Sequence, residues 1–333
     1  MKRYQQYLSV LILAILVGVY SVHTRRENDI GCSADVLVAR AMKADTTTAR
    51  VAHTQSTAYR NGETQKAHFT VLHRSGADKT KCTDGPASGA WWLTRGDSSY
   101  IYLPNRHRLM VSRLKHLLTD NERTELLLRN YRARYLGTGW IGGRSAYIVR
   151  LSSPQRQRPS RELWIDRASC VILRSIDYSY SGEKRSDVVI EQMDCASTVD
   201  QKEFQLPSAK SVEYATCCRP ATLAELTRIM GFTVGMPHYL PQGYEFEGCH
   251  LYDLDCDRGE RAALLTYTDG LSTISIFQSH DPHGDASARS GCFRTSTCCV
   301  AETGQIRRGG RKVVVIADLP SSEVRRITES VAP

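Results

Sequence analysis

The feature that most constrains this chain is a succession of short apolar runs separated by tight turn signals. Val51 to Tyr59 and Ala67 to His73 flank Asn61-Gly62; Ala90 to Thr94 and Tyr100 to Leu103 flank Arg95-Gly96-Asp97. Turns that short join only neighbouring antiparallel strands, because parallel neighbours need a long crossover. The runs resume at Ala146 to Leu151, Glu162 to Asp166, Val171 to Tyr178 and Ser186 to Met193, across the Pro/Arg/Ser-rich loop Ser152 to Ser160. Two helices punctuate them. Ser33 to Ala44 sets Val36, Leu37, Arg40 and Ala41 on one side, and the capping box Thr119-x-x-Glu122 precedes Leu126, Leu127, Leu128 and Tyr131. The expected fold class is α+β, mainly antiparallel β, with helices packed on a sheet.

A polar stretch containing Pro207 reads as a linker, and a second unit opens at the capping box Thr222-x-x-Glu225. Leu223, Leu226 and Met230 give that helix its stripe, and Gly231 suits its C-terminal cap. Ala262 to Tyr267 and Leu271 to Phe277 form a hairpin about Asp269-Gly270. Lys312 to Ala317 is a strand, and Pro320 starts a last helix carrying Val324, Ile327 and Val331. The chain therefore divides into a targeting segment (1–28), a first domain (33–197), a linker (198–219) and a second domain (220–333).

Lys2 and Arg3 precede the aliphatic run Leu8 to Val22, an n-region followed by an h-region. Residues 7–22 read as an uncleaved membrane anchor or a cleaved signal, and a lipoprotein reading of Gly31-Cys32 is the weakest of the three. Each places the rest of the chain outside the cytoplasm. Eleven Cys fit that compartment. Cys217, Cys218, Cys249, Cys256, Cys292, Cys298 and Cys299 are the disulfide candidates, with metal ligation or free thiols as alternatives. No Cys-x2-Cys pair occurs, so no metal and no cofactor is expected.

The formal net charge of +9 favours anionic partners, and export sets nucleic acid aside. No Gly-x-Ser-x-Gly elbow, phosphate-binding Gly-rich loop or His-Glu-x-x-His helix is present, so no enzyme activity is expected. Two features stand out. Trp91-Trp92-Leu93 and Tyr100-Ile101-Tyr102-Leu103 are apolar on both faces, where a sheet half open to water should alternate. Either a two-sided core or a lipid groove explains this; Trp91, Leu93, Tyr100, Tyr102, Tyr147, Val149, Leu163 and Ile165 are the groove candidates. Arg106, Arg108, Arg113, Lys115, Arg129, Arg132 and Arg134 form a basic stretch around the helical insertion. It is either a solvated helix face or a docking surface for lipid phosphates or an acidic partner peptide.

Several blocks resemble the MucB/RseB family of extracytoplasmic sigma-factor regulators. In the first domain they are Gly143-Arg144-Ser145-Ala146-Tyr147-Ile148-Val149, Glu162-Leu163-Trp164-Ile165-Asp166 and Val171-Ile172-Leu173-Arg174-Ser175. In the second they are Leu240-Pro241-Gln242-Gly243-Tyr244, Tyr267 to Phe277, and Val313 to Pro320 followed by Ile327 to Val331. The first set is also similar, more loosely, to LolA-type lipoprotein carriers, which lack the second domain. The resemblance implies an incomplete, unclosed β-barrel wrapped around helices, followed by a smaller α/β domain. It further implies a periplasmic regulator that binds an anti-sigma factor's extracytoplasmic segment and senses lipid or lipopolysaccharide in envelope stress. The alternative is a lipid or lipoprotein carrier of the LolA type. The crowded cysteines of the second domain and an N-terminus that could stay anchored depart from the family pattern.

Overall fold

Ser33 caps the first helix, α1 (Ala34–Thr47), with its hydroxyl accepting from the Val36 amide at 3.3 Å. The helix buries Ala34, Leu37, Val38 and Ala41, one stripe at helical spacing. Val36, expected on that stripe, is instead 43% exposed, and Val38 takes its place. The chain is described here from a computed structural model, over residues 31–60, 62–113, 117–195, 199–208, 212–255, 260–280, 302–308 and 310–331. The targeting segment, Lys115, Cys256, Cys292, Cys298 and Cys299 lie outside these. Among the described residues no helix is long and apolar enough to cross a membrane.

Six strands follow α1: β1 (Arg50–Arg60), β2 (Glu63–Arg74), β3 (Ala77–Asp84), β4 (Trp91–Arg95), β5 (Ser98–Leu103) and β6 (Arg108–Arg113). The second helix, α2 (Asp120–Asn130), carries the expected capping box: Thr119 accepts from the Glu122 amide, and Glu122 accepts from the Thr119 amide at 2.8 Å. Five more strands complete the domain: β7 (Arg132–Ile141), β8 (Arg144–Ser152), β9 (Ser160–Asp166), β10 (Ile172–Tyr178) and β11 (Lys184–Asp194). In space the order is β7-β8-β9-β10-β11-β1-β2-β3-β4-β5-β6, antiparallel throughout. This barrel never closes. Among the described residues β7 pairs with β8 alone, while β6 at the other end runs on into the second domain.

The segment expected as a linker is built into the fold. A short 3-10 turn, Gln201–Phe204, buries Phe204 against Ala77 and Leu93. Then β12 (Glu213–Pro220) pairs in parallel with β6 and antiparallel with β13 (Glu245–Asp255). The second domain continues with α3 (Leu223–Met230), β14 (Glu260–Thr268), β15 (Thr273–His280), β16 (Glu302–Arg308), β17 (Arg311–Ala317) and α4 (Ser321–Ser330). Its strands run β12-β13-β14-β15-β17-β16, so one seventeen-stranded sheet passes through both domains. Leu226, Met230, Val324 and Ile327 of the two helices close its core over Leu265, Ile274, Ile276 and Val315.

The Asp269-Gly270 turn is longer than the two-residue hairpin loop that dipeptide suggests. Thr268 and Thr273 are the last paired residues. Asp269 Oδ1 accepts from the Leu271 and Ser272 amides at 3.0 and 2.8 Å, which holds a four-residue loop. That loop presses on the end of α2: a Cβ on Gly270 would stand 2.4 Å from the Leu127 amide nitrogen, and the residue's φ is +94°. Only glycine fits there.

Candidate functional site

The ladder registers assign every strand side chain of the first domain to one of two faces, because directly paired residues share a face. The inner face is the one carrying α1 and α2. Over β7 to β9 it is filled: Tyr135, Val149, Leu151, Leu163 and Ile165 pack with Leu37, Val38 and Ala41 of α1 and Leu127 of α2. Over β2 to β6 no helix among the described residues covers it. Phe69, Val71, Thr80, Trp92, Ile101 and Met110 follow one another across paired strands, all half-buried. Phe69 and Trp92 meet edge-to-face with centroids 6.0 Å apart. On the far side of β1 the same face continues through Ile190 and Val188, the latter 36% exposed. An apolar band without a lid is what an amphiphile or a partner segment can cover.

A polar cluster marks the seam between the two halves. Arg50 on β1 donates to the Asp45 carbonyl, the Thr48 carbonyl and the Asp45 carboxylate at 2.8–3.1 Å, which pins the end of α1. His73 and Asp78, hydrogen-bonded to one another, lie beside it on the same face. Burial raises the Asp45 carboxyl above its ordinary value, against the opposing pull of Arg50. A groove of about 690 Å³ also runs between α1 and α2, with Val36, Met42 and Leu128 in its walls and Lys43 and Glu125 at its rim.

The eight groove candidates do not come together. Val149, Leu163 and Ile165 are sealed in the filled half, with Tyr147 packed at their edge. Trp91, Leu93, Tyr100 and Tyr102 lie on the opposite, outer face. There Leu93 is fully buried beneath Phe204, and Trp91 and Tyr100 pack around it with Leu206. Trp91 stacks on Tyr102 at 5.5 Å, with Lys79 over the indole, beside a cavity of about 420 Å³ under Gln205 to Pro207. Burial lowers the Lys79 ammonium, and the Glu203 carboxylate partly offsets it. Leu93, Val149, Leu163 and Ile165 are therefore core residues and line no open groove. The open face belongs to the neighbours one position along: Trp92 beside Trp91, and Ile101 between Tyr100 and Tyr102.

The basic candidates divide as well. Arg108 donates to both oxygens of Glu213 at 3.0–3.2 Å across the β6–β12 pairing, and Arg129 donates to Glu245 at 2.9 Å. Both tie the domains together, with Arg123 to Glu247 beside them. Arg106 ends a short 3-10 turn, Pro104–Arg106. Arg113, Arg132 and Arg134 remain exposed.

A buried junction backs these ion pairs. Tyr131, at the end of α2, donates to Asp269 Oδ2 at 2.7 Å, and Asn130 donates to the Gly243 and Asp269 carbonyls at 2.9 Å. Arg158 reaches the Gln242 carbonyl at 2.8 Å and lies over the Tyr244 ring. Burial and the neighbouring Asp269 carboxylate drive the Tyr131 phenol far above its ordinary value, so it stays a donor. Among the described residues Cys217, Cys218 and Cys249 form no disulfide. Cys218, pushed up to about 12 mainly by burial, is protonated and inert.

A profile of the MucB/RseB N-terminal domain matches residues 94–209. No curated protein sequence matches the chain. Among solved structures, a crystal structure of MucB aligns at 18% identity and TM-score 0.59, covering 90% of this chain and 98% of that one. The Pseudomonas aeruginosa MucA/MucB complex aligns at 18% identity and TM-score 0.60, covering 90% and 98%. MucB in complex with MucA(peri) aligns at 18% and 0.61, covering 90% and 99%. At that identity the likeness establishes a shared fold, an unclosed sheet with helices on one face followed by a second domain. The chain thus carries a match to the MucB/RseB N-terminal domain over residues 94–209 and shares the fold of MucB through both domains.

Proposed function

We propose that this protein is a non-enzymatic periplasmic regulator that binds the extracytoplasmic segment of an anti-sigma factor. In this reading an amphiphile of lipid or lipopolysaccharide type weakens that grip by occupying the uncovered half of the inner face. The observation that carries the reading is the continuity of likeness to MucB, bound to MucA in two of the structures, through both domains of this chain. A carrier of the LolA type would need only the first domain; here the second is fused to it through β6 and β12 and through the Tyr131–Asp269 bond. The open band over β2 to β6 supports the amphiphile part. Such a ligand shifts partner binding only by its differential affinity for the free and bound forms.

The test is titration of the protein with the anti-sigma factor's extracytoplasmic segment, with and without a saturating phospholipid in detergent-free buffer. Binding that weakens on adding lipid is the expected result. Lipid uptake with no binding of the segment would make the protein a carrier, and absence of both would remove the proposal.

A further inference from the structure

We propose that the free edge of β7 is a strand-addition site for an extended, acidic segment of the partner; this rests on the partner-binding proposal above and names where and how the partner seats. β7 is the terminal strand of the seventeen, hydrogen-bonded on one side to β8. An edge like this offers a row of backbone donors and acceptors to any chain that can lie along it.

Among the described residues the edge is closed at its start, where the Ala133 amide donates to Asp35 Oδ1 of α1 at 3.2 Å, and the turn just past its end, at Gly142, packs on the Glu191 carbonyl. Between the two, β7 is a smooth, uncharged strand from Tyr135 to Ile141, interrupted by one bulge at Leu136. Before the bulge, Arg132 and Arg134 stand exposed on the outer face, Arg134 opposite Arg150. After the bulge the parity changes. Thr138 and Trp140 fall on the inner face, in line with Tyr147 and Ser145, and Trp140 is 73% exposed. An indole that large is seldom left in water without a use.

These residues specify the occupant. An incoming strand alternates its side chains as β7 does. Its outer side chains approach two exposed guanidinium groups that have no ion-pair partner among the described residues, and so should be carboxylates. Its inner side chains lie beside Trp140 and so should be apolar or aromatic. The same charges oppose a second copy of this chain, since two β7 edges would bring arginine against arginine. Arginines that blunt an edge against neutral or basic strands thus admit an acidic one.

The experiment is amide hydrogen exchange of the full chain with and without the anti-sigma factor's extracytoplasmic segment, together with affinities for Arg132→Glu/Arg134→Glu and Trp140→Ala. The expected result is slowed exchange across residues 135–141. It comes with roughly tenfold or greater weakening by the double reversal and a smaller loss for Trp140→Ala, at unchanged melting temperature. If the reversal also disturbs folding, Trp140→Ala and the exchange map carry the test. Tight binding with β7 exchange unchanged overturns the strand-addition site and leaves the partner-binding proposal standing. No binding by the wild type overturns both. A dimer in light scattering that Trp140→Ala dissolves gives the edge to a second copy and overturns the proposal.

Discussion

The inner face of one sheet behaves in two ways in this molecule. Over β7 to β9 two helices lie on it, and Val149, Leu163 and Ile165 have no contact with water. Over β2 to β6 the same face carries a largely apolar row, Phe69, Val71, Thr80, Trp92, Ile101 and Met110, with no helix above it among the described residues. Composition does not separate the halves; coverage does. The uncovered row is the part of this face on which the proposed ligand site rests.

The largest expected contrast is in stability. Leu163→Ala in the filled half should cost about 2–5 kcal/mol, as core truncations do, and Ile101→Ala in the open half about 1 kcal/mol or less. Urea unfolding of the two variants measures this; equal losses would mean that both halves are core. Next is the junction that holds α2 over the filled half. Tyr131→Phe removes the donor to Asp269 and should cost about 1–3 kcal/mol, the range for a buried bond to a charged acceptor. A smaller loss would mean that α2 is held by its apolar contacts alone. Third, Ile101→Asp should weaken uptake of a fluorescent fatty acid by at least roughly tenfold (about 1.4 kcal/mol), and Tyr102→Ser on the outer face should leave it nearly unchanged.

The smallest effect is acid sensitivity. Burial works to raise the Asp166 carboxyl, but bonds from Arg144 (2.8 and 3.1 Å) and Ser169 outweigh it and hold the group below the ordinary carboxylate range. A depressed folded value means stability that is complete above the unfolded value and is lost as pH falls through the folded one. The same holds for Asp187 beneath Arg174 and Lys184, where hydrogen bonds again overcome burial. The protein should therefore lose stability from just below pH 4 downward, and Arg144→Gln should flatten that slope. An acid titration of the melting temperature with no difference between wild type and variant would contradict it.

Much of this was legible in residue patterns. Both Thr-x-x-Glu signals, at Thr119 and Thr222, start helices where their spacing puts them, with the reciprocal box formed at Thr119 and the hydroxyl cap alone at Thr222, and the strands with strong apolar runs lie within a few residues of expectation. β3, β6, β7, β12, β13 and β16 were not legible. Ala77–Asp84 is mostly polar, and Arg108–Arg113 and Arg132–Ile141 carry arginines that read as part of a basic helical insertion, although a strand with one solvated face can hold them. Of the groove residues, Trp91, Leu93, Tyr100 and Tyr102 fall on the opposite face by parity, whereas Tyr147, Val149, Leu163 and Ile165 lie on the inner face beneath the helices. Alternation tells which residues share a face, but not which face a helix will cover, and Trp91-Trp92 offers an indole to each side. The returning segment that buries Phe204 on the outer face took the side chosen from sequence and left its complement open.

The most direct measurement is tryptophan quenching by a brominated acyl chain, carried out in variants that keep a single indole. Trp92 and Trp91 are adjacent in sequence and opposite in space. If the uncovered half of the inner face takes the chain, the Trp92 emission falls on adding the lipid and the Trp91 emission does not. Quenching of Trp91 with Trp92 untouched would place the ligand on the outer face and contradict the account.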